Sequence, residues 1–161
     1  MRVVEIMTGT PYHCSRETNL GSATELMWIG NCGFLPVMGQ DNKVIGVITD
    51  RDICVALGTR NRKAGNVTVG EVMSGKMFAC APEDQIEFAL ETMRAGHVRR
   101  LPVVTKAGAL VSVVSIDDAI IHAEKPGAGG ASGLAAAGVV KALQGINRRQ
   151  LPLARVHAAA A

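Results

Sequence analysis

Apolar residues recur at Ile86, Ala89, Leu90 and Met93, the i, i+3, i+4, i+7 spacing of a helix with one buried face. Pro82-Glu83-Asp84 precede them and read as the opening of that helix. Leu20, Ala23 and Met27 lay down a similar stripe behind Asn19, a capping residue type. Gly30 and Gly96 stand where these two helices should end. After each glycine come two short apolar runs that predict strands, 35–38 with 44–48 and 101–104 with 110–114. Gly39-Gln40-Asp41-Asn42 and Lys106-Ala107-Gly108 have the composition of the turns between them. A further helix is predicted over about 50–57, and another over about 116–123. Apolar segments at 3–7 and 69–73, and brief strands near 12–15 and 77–81, come before the first helix of each set.

The two sets are copies. Ile6-Met7-Thr8 matches Val72-Met73-Ser74, and Leu35-Pro36-Val37 matches Leu101-Pro102-Val103, both at an offset of 66 residues. Ala23 and Ala89, Met27 and Met93, and Gly30 and Gly96 fall on the same offset, as do Val47-Ile48-Thr49 with Asp52 and Val113-Val114-Ser115 with Asp118. A gapless internal repeat of this kind decides the architecture before any single element does. The expected organisation is repeat 1 over 1–57, a polar linker over 58–67, repeat 2 over 68–124 and a Gly/Ala-rich basic tail over 125–161. The fold class is α+β: two β-α-β-β-α units related by a pseudo-twofold axis, packed sheet against sheet around a shared core, with a flexible C-terminal tail. Residues 134–146 can form a short helix with Leu134, Val139, Val140 and Leu143 on one side, which Gly138 and Gly145 weaken.

Composition narrows the function classes. With 161 residues and 48% hydrophobic content the chain can bury a core, and with 3% aromatics that core must be aliphatic. The formal charge of +3 hides a division. Residues 1–124 hold 12 basic and 14 acidic side chains, whereas the tail holds five basic ones and no acid. The body has no basic, aromatic-interleaved face, so nucleic acid is not an expected partner. No stretch is long and apolar enough for a membrane span and no secretory leader is legible, which predicts a cytoplasmic protein. Cys14, Cys32, Cys54 and Cys80 form no C-x-x-C pair, and no histidine pair has metal spacing. They read as free thiols, and no metal site is expected. His13-Cys14 is at most half of a redox or metal site. His97-x-Arg99-Arg100 is either an anion clamp or a solvated loop. Trp28 reads as core or dimer interface, and Arg148-Arg149 as solvated charge or a docking peptide.

Candidate chemistry sits at Thr49-Asp50-Arg51-Asp52 and Ser115-Ile116-Asp117-Asp118, each between a strand and a helix. One reading is a capping box, in which the hydroxyl accepts a helix N–H and the acid reaches back. The other is an anion site: the helix N-terminus and hydroxyl meet a phosphate, and the carboxylate meets two adjacent ribose hydroxyls. No activated nucleophile with a positioned base and no phosphate-loop lysine is visible, so an enzyme is not expected.

The paired Ile6-Met7-Thr8 and Val72-Met73-Ser74, the two Leu-Pro-Val strands, Gly46-Val47-Ile48-Thr49-Asp50-Arg51-Asp52-Ile53 and Val98-Arg99-Arg100 make the chain resemble a tandem pair of CBS (cystathionine-β-synthase-type) domains, a Bateman module, of the stand-alone bacterial type. The resemblance covers about 1–123. It implies two units in a disc-like pair that dimerises through its helices. It also implies a regulatory, signal-transducing role through an adenosine ligand: AMP, ADP, ATP or S-adenosylmethionine, and in some members NAD(H) or dinucleotides. No cofactor is obligatory. Residue by residue, Thr49 and Ser115 match the hydroxyl that meets phosphate or ribose, and Asp52 and Asp118 the ribose acid. Phe34, Leu35, Pro36 and Arg99, Arg100, Leu101, Pro102 match positions lining the clefts. Tyr12, His13 and Cys14, with Met77, Phe78 and Ala79, match positions near the base. Ser112 stands where repeat 1 has Gly46, and is expected to narrow the second site. Arg99-Arg100 are expected to give that site the better phosphate partner, which makes Ser115/Asp118 the principal site and Thr49/Asp52 secondary. With no attached catalytic, channel or transporter segment, such a module should act on a separate, unidentified regulated protein. The alternative is a ligand-independent structural or partner-docking dimer that presents the basic tail.

Overall fold

A computed structural model describes residues 1–124 and 133–148. In repeat 1 a 3-10 turn, Val3–Glu5, is followed by β1 (Cys14–Ser15), α1 (Leu20–Ile29), β2 (Phe34–Met38), β3 (Val44–Thr49) and α2 (Asp50–Arg60). Repeat 2 runs through a 3-10 turn at Val69–Glu71, then α3 (Ile86–Gly96), β4 (Arg100–Val104), β5 (Leu110–Ser115) and α4 (Ile116–Ile121). After it come the short parallel pair β6 (Ala123–Glu124) and β7 (Leu134–Ala135), and then α5 (Ala136–Ile146). No helix among the described residues is long and apolar enough to cross a membrane.

The helices form where their stripes predict. Asn19 caps α1 by accepting the Ser22 N–H at 2.9 Å, and Leu20, Ala23 and Met27 are buried. On α3 the buried stripe is Ile86, Ala89, Leu90 and Met93. Pro82-Glu83-Asp84 do not open that helix, however. Asp84 closes a turn on Ala81, whose N–H donates to Asp84 Oδ2 at 2.7 Å, and α3 starts only at Ile86. The helix-ending glycines serve packing rather than a left-handed backbone. Asn31 and His97 take the positive φ, at 44° and 51°. A Cβ on Gly30 would lie 2.6 Å from the Tyr12 ring, and one on Gly96 would lie 2.8 Å from the Phe78 ring.

Strand β1 runs parallel to β2, which pairs antiparallel with β3. In repeat 2, β4 and β5 pair antiparallel, and the third strand shrinks to a parallel bridge between Cys80 and Val103. The registers agree with the offset of the sequence, since Cys14 partners Val37 where Cys80 partners Val103.

The two units meet along their sheets, yet they do not share one core. Each has its own cluster, and each is completed by the other repeat's first segment. Val3 and Ile6 pack with Ile86, Met93, Leu101 and Val114, whereas Val67 and Val69 pack with Leu20, Met27, Leu35 and Ile48. The exchange is reciprocal. Val3 N–H donates to Asp84 O (2.9 Å) as Val69 N–H donates to Thr18 O (2.8 Å). Thr8 N–H donates to Val113 O as Ser74 N–H donates to Val47 O, both at 3.0 Å. Val67, placed in the linker by its polar neighbours, is therefore a fully buried core residue.

The tail departs furthest from expectation. Leu134, Val139, Ala142 and Ile146 of β7 and α5 are buried in the core of repeat 2, and α5 lies against α3 and α4. Its buried face includes Ala142 and Ile146 rather than Val140, which is 51% exposed. The flexible linker expected over 126–138 lies partly, and Arg149, Arg155 and the final alanines wholly, outside the described residues. Among the described residues, repeat 1 has no counterpart of α5. Between α1 and α2 an open groove of about 580 Å³, lined by Met27, Trp28, Ile53, Cys54 and Leu57, occupies the place that α5 covers on repeat 2.

Candidate functional site

Both capping boxes form in full. Asp52 N–H donates to Thr49 Oγ1 at 3.2 Å, while Thr49 N–H and Oγ1–H donate to Asp52 Oδ2 at 3.0 and 2.7 Å. Ser115 and Asp118 repeat the arrangement, at 3.1 Å for the Asp118 N–H and 2.7 Å for both bonds to Oδ2. The first N–H groups of α2 are otherwise engaged as well. Asp50 N–H donates to Gly33 O (3.2 Å) and Arg51 N–H to Asp50 Oδ1 (2.7 Å). The head of α2 therefore offers an anion side chains rather than free helix N–H groups.

Two clefts lie between the repeats. The larger, about 550 Å³, runs past Thr49. Repeat 1 gives it Phe34, Asp50 and Arg51, and repeat 2 gives it Lys76, Phe78, His97, Arg99, Arg100 and Pro102. Ile146 and Asn147, at the end of α5, complete the wall. Lys76 Nζ stands 5.1 Å from the centre of the Phe78 ring, close enough for a cation–π contact. Arg99 Nη2 donates to Asn147 Oδ1 at 2.9 Å. Four cationic side chains thus face one carboxylate, Asp50. The smaller cleft, about 290 Å³, runs past Ser115 and Asp118 with Thr8, Tyr12, Phe34 and Arg100 in its wall. Arg100, the cation of that wall, also stands 3.8 Å from Asp117.

Phe34 and Arg100 reach both clefts. Arg99, expected beside Ser115, faces the Thr49 cleft instead. Its carbonyl accepts the Ile116 N–H at 2.9 Å, whereas its guanidinium is drawn to α5. Ser112 does not narrow the second cleft. It is buried, and its Oγ donates to the Thr8 carbonyl, tying down the exchanged segment. Leu35, Pro36 and Leu101 are buried beneath the clefts, Asp52 serves the cap, and Ala79 lines neither cleft. His13 lines a separate surface groove beside Cys14 and the turn at Gly39. Burial pushes the Cys14 thiol up to about 11 and the Cys80 thiol up to about 12, so both stay protonated and unreactive at neutral pH. No cluster of three or more metal-ligating side chains occurs among the described residues. Sequence reading missed Arg51, Lys76, Ile146 and Asn147. The offset carried a signal for Lys76, two residues before Phe78 as Thr10 is before Tyr12. Nothing in the repeat pattern pointed to α5.

Residues 3–59 and 69–124 each match the family model described as CBS domain; α5 lies beyond both. The chain is 31% identical over 113 residues to inosine-5'-monophosphate dehydrogenase of Methanocaldococcus jannaschii, covering 70% of this chain and 21% of that protein. It is 32% identical over 120 residues to the CBS domain-containing protein YhcV of Bacillus subtilis, covering 74% and 84%. The chain therefore spans about a fifth of the dehydrogenase and most of the second relative. The fold is similar to the CBS domain pair of protein MJ0100 in complex with 5'-methylthioadenosine and S-adenosyl-L-methionine (TM-score 0.67, 21% identity, 73% of this chain and 91% of that one). It is also similar to protein PAE2072 of Pyrobaculum aerophilum complexed with AMP (TM-score 0.66, 21% identity, 73% and 89%).

Proposed function

The chain belongs to the CBS domain family twice over, and from that premise we propose that it is a regulatory module that senses an adenosine nucleotide between its repeats and passes that state to a separate protein. The observation that carries this reading is the convergence of Arg51, Lys76, Arg99 and Arg100 on the Thr49 cleft. Its volume lies within the range of about 300–1,000 Å³ usual for small-molecule sites, and the Ser115 cleft falls at the floor of that range. Phe34 and Phe78 give the cleft wall apolar surface for a base, and the cations suit phosphate oxygens. The charge favours AMP, ADP or ATP over S-adenosylmethionine, whose sulfonium the same cations repel. The Thr49 cleft, rather than the Ser115 cleft, is then the principal site. The related structures that hold AMP and S-adenosylmethionine support adenosine ligands as the class.

In the same reading, a second copy of the chain packs on the α1–α2 face. Trp28 is 86% exposed there, and the equivalent face of repeat 2 is already covered by α5. Light scattering on Trp28→Asp tests this placement, with a shift from dimer to monomer expected and an unchanged mass overturning it.

Thermal unfolding with each nucleotide tests the ligand reading. A ligand at about 100 times its dissociation constant stabilises by about 2.7 kcal/mol. The stabilisation should vanish in Lys76→Ala/Arg99→Ala and persist in Ser115→Ala. Loss in Ser115→Ala alone moves the site to the other cleft. If no nucleotide stabilises the folded protein, the sensor reading fails and a ligand-independent docking dimer replaces it.

A further inference from the structure

Helix α5 belongs to neither matched repeat, yet it reaches the nucleotide cleft. Its buried face, Val139, Ala142 and Ile146, joins the core of repeat 2. Its last turn brings Ile146 and Asn147 into the wall of the Thr49 cleft. Asn147 is committed on both sides. Its Nδ2 donates to Leu143 O at 2.8 Å, which closes the end of the helix. Its Oδ1 accepts from Arg99 Nη2 at 2.9 Å, which fixes the guanidinium. A guanidinium has five N–H donors in a planar fork, so one bond to Asn147 leaves the remainder for an anion. A cation at a helix C-terminus is also favoured by the helix dipole. Repeat 1 has Gly33 where repeat 2 has Arg99 and, among the described residues, no helix corresponding to α5, so the Ser115 cleft lacks this arrangement.

We propose that Asn147 is a positioning residue of the nucleotide site: it holds Arg99 ready for the phosphate, so that ligand binding in the Thr49 cleft and docking of α5 strengthen each other. The proposal rests on the nucleotide-sensing reading and adds its readout, the helix that leads into the basic Arg148-Arg149 pair. Linkage requires the coupling to be equal in both directions. For one exposed, charge-assisted bond the low end of typical coupling applies, about fivefold.

The test uses the full chain, titrated calorimetrically with AMP and with adenosine, which lacks the phosphate. Asn147→Ala should weaken AMP about fivefold and leave adenosine unchanged, a division that general loosening of the helix would not produce. Val140→Ala, on the outer face of α5, should change neither. In the wild-type chain, saturation with AMP should slow amide hydrogen exchange across α5. If AMP binds the wild type but Asn147→Ala binds it equally well, or α5 exchanges at the same rate with and without AMP, the coupling is refuted while the sensor reading stands. Equal weakening of AMP and adenosine refutes the positioning role. Failure of both ligands to bind the wild type overturns the sensor reading, and this proposal with it.

Discussion

Leu134→Ala tests whether the tail is part of the fold. Leu134 is 1% exposed and sits in the core of repeat 2 with Val139, Ala142 and Ile146. Truncation to alanine removes three carbons. At about 0.8 kcal/mol for each buried carbon the transfer loss is about 2.4 kcal/mol. A cavity that relaxes only in part raises the cost to about 3 kcal/mol, inside the range of about 2–5 kcal/mol for buried leucines. For a chain of this length each kcal/mol lowers the melting temperature by about 2–4 °C, so a fall of about 6–12 °C is expected. Val140→Ala is the control. It removes apolar carbons from the same helix, but from a side chain that is half exposed, and should stay within about 0.5 kcal/mol. Urea unfolding gives the free energy and calorimetry the midpoint. If Leu134→Ala costs less than about 1 kcal/mol, or no more than Val140→Ala, α5 is not docked as described and its contribution to the cleft goes with it.

Gly96→Ala should cost about 1–2 kcal/mol, because the new Cβ lies 2.8 Å from the Phe78 ring; most of that cost should disappear in a Phe78→Ala background, and a full cost there would refute ring contact as the cause. Thr49→Ala and Ser115→Ala should each lose about 1 kcal/mol of stability with the capping box, seen as a lower urea midpoint; a neutral result would deny the cap its role. Iodoacetamide should reach Cys14 and Cys80 only after unfolding, since both are buried; rapid native labelling of either would contradict their placement. The thiols of Cys14 and Cys80 are raised in the folded state from an ordinary value of 9.0, so their contribution is complete below that pH and is lost as the pH climbs towards about 11 and 12. The melting temperature of the wild type should therefore fall more steeply above about pH 9 than that of Cys14→Ala/Cys80→Ala, and parallel slopes would refute this.

Much of this was legible because the repeat is gapless. Cys14–Val37 and Cys80–Val103 pair at one offset, and the stripes on α1 and α3 were visible as spacing alone. The exchange of first segments was not legible. A pattern says that Val3 and Val69 are buried, but not against which repeat, and both sit where an unswapped unit would also want them. Helix α5 was underrated for a related reason. Gly138 and Gly145 lower its intrinsic propensity, but most helical stability comes from packing an apolar face. Gly138 faces open space, and Gly145 gives room to the Arg94 side chain. At the clefts the hydroxyl–acid pairs stood out in the sequence, and they formed. Their carboxylates are spent largely on capping. Of the cations in the Thr49 cleft, Arg99 and Arg100 stood out in the sequence, Arg51 was visible only as part of the Thr49–Asp52 box, and Lys76 came from a position with no motif.

The asymmetry of the clefts follows from residue differences between the repeats, some of which the exchange carries to the opposite cleft. An unswapped pair would keep each repeat's residues around its own cleft. Here Lys76, just after the exchanged segment of repeat 2, lies in the cleft of Thr49, as Thr10 lies in that of Ser115. Substitutions at offset-paired positions then act across the axis. Thr10 pairs with Lys76, Gly33 with Arg99 and Arg51 with Asp117. In each pair the cation faces the Thr49 cleft. Asp117, at the position paired with Arg51, stands 3.8 Å from Arg100, the cation that both clefts share, and leaves the Ser115 cleft no second cation among the described residues. Two clefts with one backbone plan have thereby acquired different charges, one suited to phosphates and the other nearly neutral. Covering repeat 2 with α5 adds a second asymmetry, because among the described residues only the positively charged cleft touches a helix outside the repeats. Charge, wall and helix contact coincide at the Thr49 cleft. On the proposed reading, a ligand held there touches both repeats and α5, the three parts whose relative position would report its binding.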